Sequence, residues 1–422
     1  MSADNRSYFY PSASLSFIPS QAFDFSDSSV NFLKFRTSWA QVGNDTGVYQ
    51  LTETFNLAAN GYLDLVQISR PSVKANPDLK PESVTSAEVG LEFKMFGSRF
   101  YGDFSYYSIN IEDLIFDVPV PASTGYDRFR ENVGELTNKG FELLLGGIPV
   151  KTDDFSWDIS ANISKNDNKL VSLIDDLENF GFAGTNGGDV AVRATVGGGY
   201  GDIYGRTWKR VPEDGGADAG KILLNSEGRP QAESELSKLG NYQPDYVGGI
   251  TNNINYKNFG LRFLIDFRIG GQVYSGTDAA LDGSGTSVRT LKYREDGVVV
   301  DGVIQNDPDD PSAGYTQNTT NITGQQYWGS VSGIAENYIY DQTNFRMREV
   351  ALTYRIPNKM LENAFVKSAS ISLTGRNLFF ISKKIDNFDP ESSYSTSNFS
   401  QGLLFYNLPT TRSIGLNLNI KF

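Results

Sequence analysis

The chain has 422 residues, with 37 Lys and Arg against 50 Asp and Glu for a net charge of -13, and it contains neither cysteine nor histidine. The acidic balance argues against a nucleic-acid partner. The two absences remove disulfides, thiolate nucleophiles, imidazole bases, Ser-His triads and the common zinc sites, which excludes much enzymology, while carboxylate chemistry such as glycoside hydrolysis survives. With 42 Gly, 28 Phe, 22 Tyr and only 4 Met, the composition is that of strands and turns. There is no apolar run of about 18 residues to make a membrane helix. A mean hydropathy of -0.34 still admits a barrel, whose apolar half is hidden by alternation.

Met1 to Ser7 show no basic segment leading into an apolar one, so no secretory signal is expected there. Strand-like alternation begins weakly over Tyr8–Ile18. Leu33, Phe35, Thr37 and Trp39 then alternate with Lys34, Arg36 and Ser38, and Ala87 to Met95 alternate with Glu88, Gly90, Glu92 and Lys94. Weaker strands are expected at Arg99–Ile111 and Leu136–Ile148. Phe155, Trp157, Ile159, Ala161 and Ile163 give the next clear one, followed by Tyr246–Tyr256. Leu261 to Ile269 oppose Arg262, Asp266 and Arg268. Arg346–Ile356 is weaker, Ala369, Ile371 and Leu373 are clear, and the chain ends on Ile414, Leu416, Leu418, Ile420 and Phe422, which share one face. That makes about eleven strands.

The connections alternate too. Phe96-Gly97-Ser98, residues 150–154 and Lys257-Asn258 are short, whereas roughly 43–82, 112–135, 165–244, 272–340 and 380–411 are long and polar. Short turns at one end and long loops at the other are the layout of an outer-membrane barrel, with one strand face to lipid and the other to a wet lumen. Glu88, Glu92, Asp158, Arg262, Asp266 and Arg268 are then expected to face the lumen. Arg346 and Arg348 share the parity of Val350, Leu352 and Tyr354, which places them on the lipid side, above the bilayer. Counting back from Phe422, the first strand runs inward, and an odd count of that kind does not close a bacterial barrel. About half of a larger barrel is expected to lie outside this chain.

Several segments carry a family likeness. Asn76-Pro77-Asp78-Leu79-Lys80-Pro81-Glu82 with the strand around Val89-Gly90-Leu91-Glu92-Phe93 is one. The others are Val133-Gly134-Glu135-Leu136-Thr137-Asn138-Lys139-Gly140-Phe141-Glu142, Tyr200-Gly201-Asp202-Ile203-Tyr204-Gly205, and Gly375-Arg376-Asn377-Leu378-Phe379 with Asp389-Pro390-Glu391. In this order, and with a terminal Phe422, they resemble the C-terminal barrel half of SusC/RagA-type TonB-dependent transporters. The resemblance implies an all-β, antiparallel transmembrane β-barrel. Residues 1–422 would be a partial barrel domain, roughly the C-terminal half of about 22 strands. Plug, TonB box and first barrel strands would be absent. It further implies the outer membrane of a Gram-negative bacterium, uptake of a glycan or peptide, a SusD-like surface lipoprotein, and TonB-ExbB-ExbD acting through the other half.

Candidate ligand contacts are the loop aromatics Tyr327, Trp328 and Tyr394, with Phe399, Phe405 and Tyr406 near, and the lumen charges Arg262, Asp266 and Arg268. Aromatics can stack on sugar rings, but loop packing is the more economical reading of them, and solvated wall is that of the charges. Asp307-Pro308-Asp309-Asp310 has oxygen ligands but not the spacing of a calcium loop. No pair of acids stands out for glycoside hydrolysis, so no enzyme and no cofactor are expected. The rival reading is a soluble secreted β-protein that binds carbohydrate.

Overall fold

The computed structural model describes residues 5–25, 28–57, 65–174, 177–184, 189–362, 365–394 and 401–422. Eleven strands form one sheet: β1 (Ser12–Phe17), β2 (Val30–Asn44), β3 (Glu82–Met95), β4 (Phe100–Glu112), β5 (Glu135–Lys151), β6 (Phe155–Ser172), β7 (Tyr246–Tyr256), β8 (Phe259–Ile269), β9 (Asn344–Arg355), β10 (Ser368–Lys383) and β11 (Ser413–Lys421). Each pairs antiparallel with its neighbour in chain order, and β1 and β11 stand at the two edges. The sheet is a partial barrel with the eleven strands that alternation marks out.

Register shows why one face is apolar. Phe17, Phe35, Leu91, Phe104, Leu143 and Ile163 are successive cross-strand partners from β1 to β6. Nearer the other end, Trp157, Ile254, Leu261, Leu352, Leu373 and Leu416 form a second such row. Period-two side chains in matched register merge into a continuous band. Among the described residues no second layer covers it: Leu373 is 52% exposed and Leu416 68%. A soluble sandwich would bury these residues. Asn252 interrupts the band, and its Oδ1 accepts the Trp157 indole N–H at 3.0 Å.

The connections behave as their lengths suggest. Phe96, Gly97 and Ser98 all have positive φ, and the Asn31 side chain accepts the N–H of Gly97 and of Ser98 (2.6 and 3.2 Å), closing that turn. Five short connections alternate with five long ones. The long ones do more than their polarity promises. Residues 179–241 contain a four-stranded sheet, and the segment between β8 and β9 holds helices Gly276–Gly283 and Gly324–Val331. Val190, Val192, Ile203, Tyr274, Val331 and Tyr338, with Leu403, pack into a buried core shared by three of these loops. A second cluster of Leu114, Leu136, Leu170, Phe180 and Ala194 joins them to the rim of the wall.

One expectation about faces is corrected. Leu264 pairs with Glu349 but Ile265 pairs with Met347, so β9 carries an extra residue at Arg348. This bulge inverts the alternation above it. Arg346 becomes the partner of Asp266 and lies with it on the inner side, not on the lipid side with Leu352. There it bonds Asp389 (3.3 Å) and Glu391 (2.8 Å), while Arg348 bonds Asp266, Glu391 and Asn377. A simple parity count misses a bulge, because nothing in a local sequence pattern marks the extra residue.

Candidate functional site

The inner wall is built from the residues that alternate away from the apolar band. Gly90 lies opposite Arg36 with no side chain of its own, and a Cβ there would come within 2.5 Å of Arg36 Nε. The guanidinium therefore crosses the strand and reaches Asp103 in a bidentate pair (3.0 and 2.6 Å). The same device recurs at Gly140. Tyr107 is its cross-strand partner, and a Cβ on Gly140 would sit 2.5 Å from the Tyr107 hydroxyl and 2.3 Å from the Lys165 carbonyl oxygen. Freed to lie across β5, the Tyr107 hydroxyl bonds Asn166 Oδ1 on β6 at 3.1 Å.

Asn138, Gly140 and Glu142 thus form one inward stripe of β5, and Asn166 and Asn168 continue it on β6. Asn138 Oδ1 accepts from both Asn166 (3.2 Å) and Asn168 (2.7 Å), and Asn168 Oδ1 accepts the Tyr200 N–H (3.0 Å). Gln243 donates to the Tyr200 carbonyl at 2.9 Å. These amides line a cavity of about 900 Å³ between the wall and the underside of the loops, with Tyr200 and Tyr242 above and Ile111, Leu114 and Leu136 on one flank. The volume lies at the upper end of small-ligand sites. A lining of amides and phenols offers donors and acceptors to hydroxyls or peptide groups without demanding one charge. Replacing Gly140 by valine should push Tyr107 off Asn166 and narrow the cavity. The expected result is at least a tenfold loss of ligand affinity together with a lower thermal midpoint, because the new Cβ also presses on the Lys165 carbonyl oxygen and loosens the β5–β6 pairing locally.

Burial tunes the loop phenols. Desolvation pushes Tyr242 up to about 12, and Tyr274 to about 12 with help from nearby Asp189 and Tyr406. Burial first, then Asp282, raises Tyr338, which donates to Asp282 Oδ2 at 3.1 Å. These phenols hold their protons more tightly in the folded chain than at the ordinary value of 10.0. The stability they add is complete below about pH 10 and is lost as pH rises through their folded values. Tyrosinate absorbance should therefore show an early phase from exposed phenols and a late one near pH 12, where near-ultraviolet dichroism of the loops collapses.

The candidate residues from the sequence fall in different places. Arg268 lines the cavity, and its Nη2 donates to the Tyr242 carbonyl. Asp266 is taken by Arg348, and Arg262 lies further along β8, 3.7 Å from Glu349. Tyr327 and Trp328 belong to helix Gly324–Val331. Their rings meet edge-on at 5.1 Å, Tyr327 packs on Tyr293, and the Trp328 indole donates to the Lys292 carbonyl. Both pack against the loop core rather than line the cavity. Tyr394 is exposed and meets Phe405 edge-on at 5.5 Å. Tyr406 is also exposed, and Phe399 lies outside the described residues. Asp307 and Asp310 cap the backbone of their own turn, accepting from Asp309 and Ser312. The sequence marks Asn138 and Glu142 only as members of a family-like segment and does not single out Tyr107, Asn166, Asn168 or Gln243 as cavity residues. The available signal was the asparagines at 162, 166 and 168, all of one parity on the wet face of β6.

An antiparallel wall, apolar outside, polar inside, with tight turns at one end and folded loops at the other, defines an outer-membrane-type β-barrel protein. The chain belongs to the TonB dependent receptor-like, beta-barrel family, whose model matches residues 2–213. That family is one of receptors and transporters in the outer membrane of Gram-negative bacteria. Among curated relatives, TonB-dependent receptor P26 of Formosa agariphila is 29% identical over all of this chain and 43% of its own length. TonB-dependent receptor P3 of the same organism is 27% identical over 99% of this chain and 43% of its own length. TonB-dependent receptor SusC of Bacteroides thetaiotaomicron is 28% identical over 65% of this chain and 28% of its own. The RagAB peptide transporter shares the fold over the whole chain with a TM-score of 0.74 at 19% identity, matching 44% of that chain. The chain therefore spans less than half the length of the relatives it matches.

Proposed function

We propose that residues 1–422 form the C-terminal barrel half of an energised outer-membrane importer of the SusC type, carrying a glycan or a peptide. The plug and TonB box belong to the part of such a receptor not represented here. In this reading a SusD-like surface lipoprotein and the folded loops capture the ligand, TonB-ExbB-ExbD acts through the plug, and the amide-lined cavity holds the ligand as it enters the lumen. The observation that carries it is the join of an exposed apolar band on one face with a roofed polar cavity on the other. The exposed band also weighs against a soluble secreted carbohydrate-binding protein. Fractionation of the producing cells decides between them. The protein should sediment with the outer membrane and resist carbonate extraction, and recovery in the soluble fraction would overturn the importer.

A further inference from the structure

Arg268 differs from the arginines around it. Arg36 meets Asp103, Arg262 meets Glu349, and Arg346 and Arg348 share Asp266, Asp389 and Glu391. Arg268 makes no ion pair among the described residues. Its Nη2 donates to the Tyr242 carbonyl, its Nε is buried without an acceptor among them, and it lies against Gly271, where a Cβ would come within 2.9 Å of Nη2. The guanidinium is thus held in place beside the cavity rather than left to wave. Glu391, already shared by Arg346 and Arg348, acts on Arg268 only from beyond ion-pair distance, so an arriving anion would supply the close partner the guanidinium lacks.

Register gives the site a direction. Glu142, Ser164, Val247 and Arg268 are successive cross-strand partners on β5 to β8, and all four line the cavity. Three strand spacings separate the ends, about 14 Å along the wall. Glu142 is exposed and makes no ion pair among the described residues. Glu82, on the same flank, accepts from the Ile115 N–H and from Asn44. Lys165 borders the cavity, but its ammonium lies over the Tyr246 ring, and both residues have the parity of the outer face. The cavity is therefore basic at one end and acidic at the other.

We propose that Arg268 anchors a single terminal carboxylate of the ligand, while Glu142 at the far end of the row turns away a second anionic group. This rests on the reading of the cavity as the ligand site, and it narrows the ligand to one carrying a lone acidic end.

The test uses protein purified from membranes in detergent micelles and titration calorimetry at low salt. The probes are lactobionate against lactose, and acetyl-trialanine against its C-terminal amide. At least one acid should bind roughly tenfold tighter than its neutral counterpart, and the pair that does so tells a saccharide carboxylate from a peptide one. Arg268→Gln should erase that preference, and Arg268→Lys should restore part of it. Glu142→Gln should raise the affinity of digalacturonate, which carries two carboxylates. Equal binding of acid and neutral forms, or a preference that survives Arg268→Gln, overturns the anchor while leaving the importer standing. Failure of all four compounds to bind overturns the cavity as ligand site, and the anchor with it.

Discussion

Replacing Arg346 by methionine is expected to free the segment around Asp389–Glu391 from the wall and to cost about 3–5 kcal/mol. The Arg346 side chain is 3% exposed and that of Asp389 5%, so removing the cation leaves Asp389 stranded away from water, while Glu391 keeps Arg348. Thr410 is tied into the same cluster through both Arg346 and Asp389. Both ends of the connection between β10 and β11 therefore depend on one guanidinium. Thermal unfolding in detergent should drop by several degrees, and residues 384–412 should become the first site of limited proteolysis. Arg376→Met is the control. Arg376 is exposed and bonds Glu349 at 3.1 Å, the kind of pair whose loss costs about 1 kcal/mol or less. Equal effects from the two substitutions would sink the account.

The second large effect concerns the outer face. Leu373 lies near the middle of β10 between Leu352 and Leu416. An arginine there has to reach through hydrocarbon to water, at about 2–4 kcal/mol near the midplane. Ser372 points to the wet side of the same strand and bonds Thr353 at 2.8 Å, so Ser372→Arg should cost far less. Denaturant unfolding from lipid vesicles reads the difference. Matched costs at 372 and 373 would mean that no lipid meets this face.

The wall was readable because its physics is local. Ile414, Leu416, Leu418 and Ile420 announce a face by spacing alone, and the register adds only their partners Gly375, Leu373, Ile371 and Ala369. The chemistry of the wall was less readable. Asn138 and Gly140 looked like a family signature, yet their roles as bond acceptor and clearance for Tyr107 depend on residues about 30 positions before and after. Arg346 and Arg348 turn inward against their parity because a bulge shifts it without any local mark. Loop packing is the more economical reading of Tyr327 and Trp328, but the partners they pack on, Tyr293 and Lys292, become visible only once the loop is folded. Long polar segments hide cores whose apolar members are scattered one or two at a time.

That scatter has a kinetic consequence. Every strand of the wall pairs with its predecessor in the chain, so the sheet can zip hairpin by hairpin at modest entropic cost. The roof above it joins Val190 to Leu403 by way of Tyr274 and Val331, across separations no single hairpin closes. Contacts so remote along the chain are the slow ones to form. The expected order is wall first and roof last, which pulsed hydrogen exchange during refolding would read as late protection of the residues around Val190 and Tyr338.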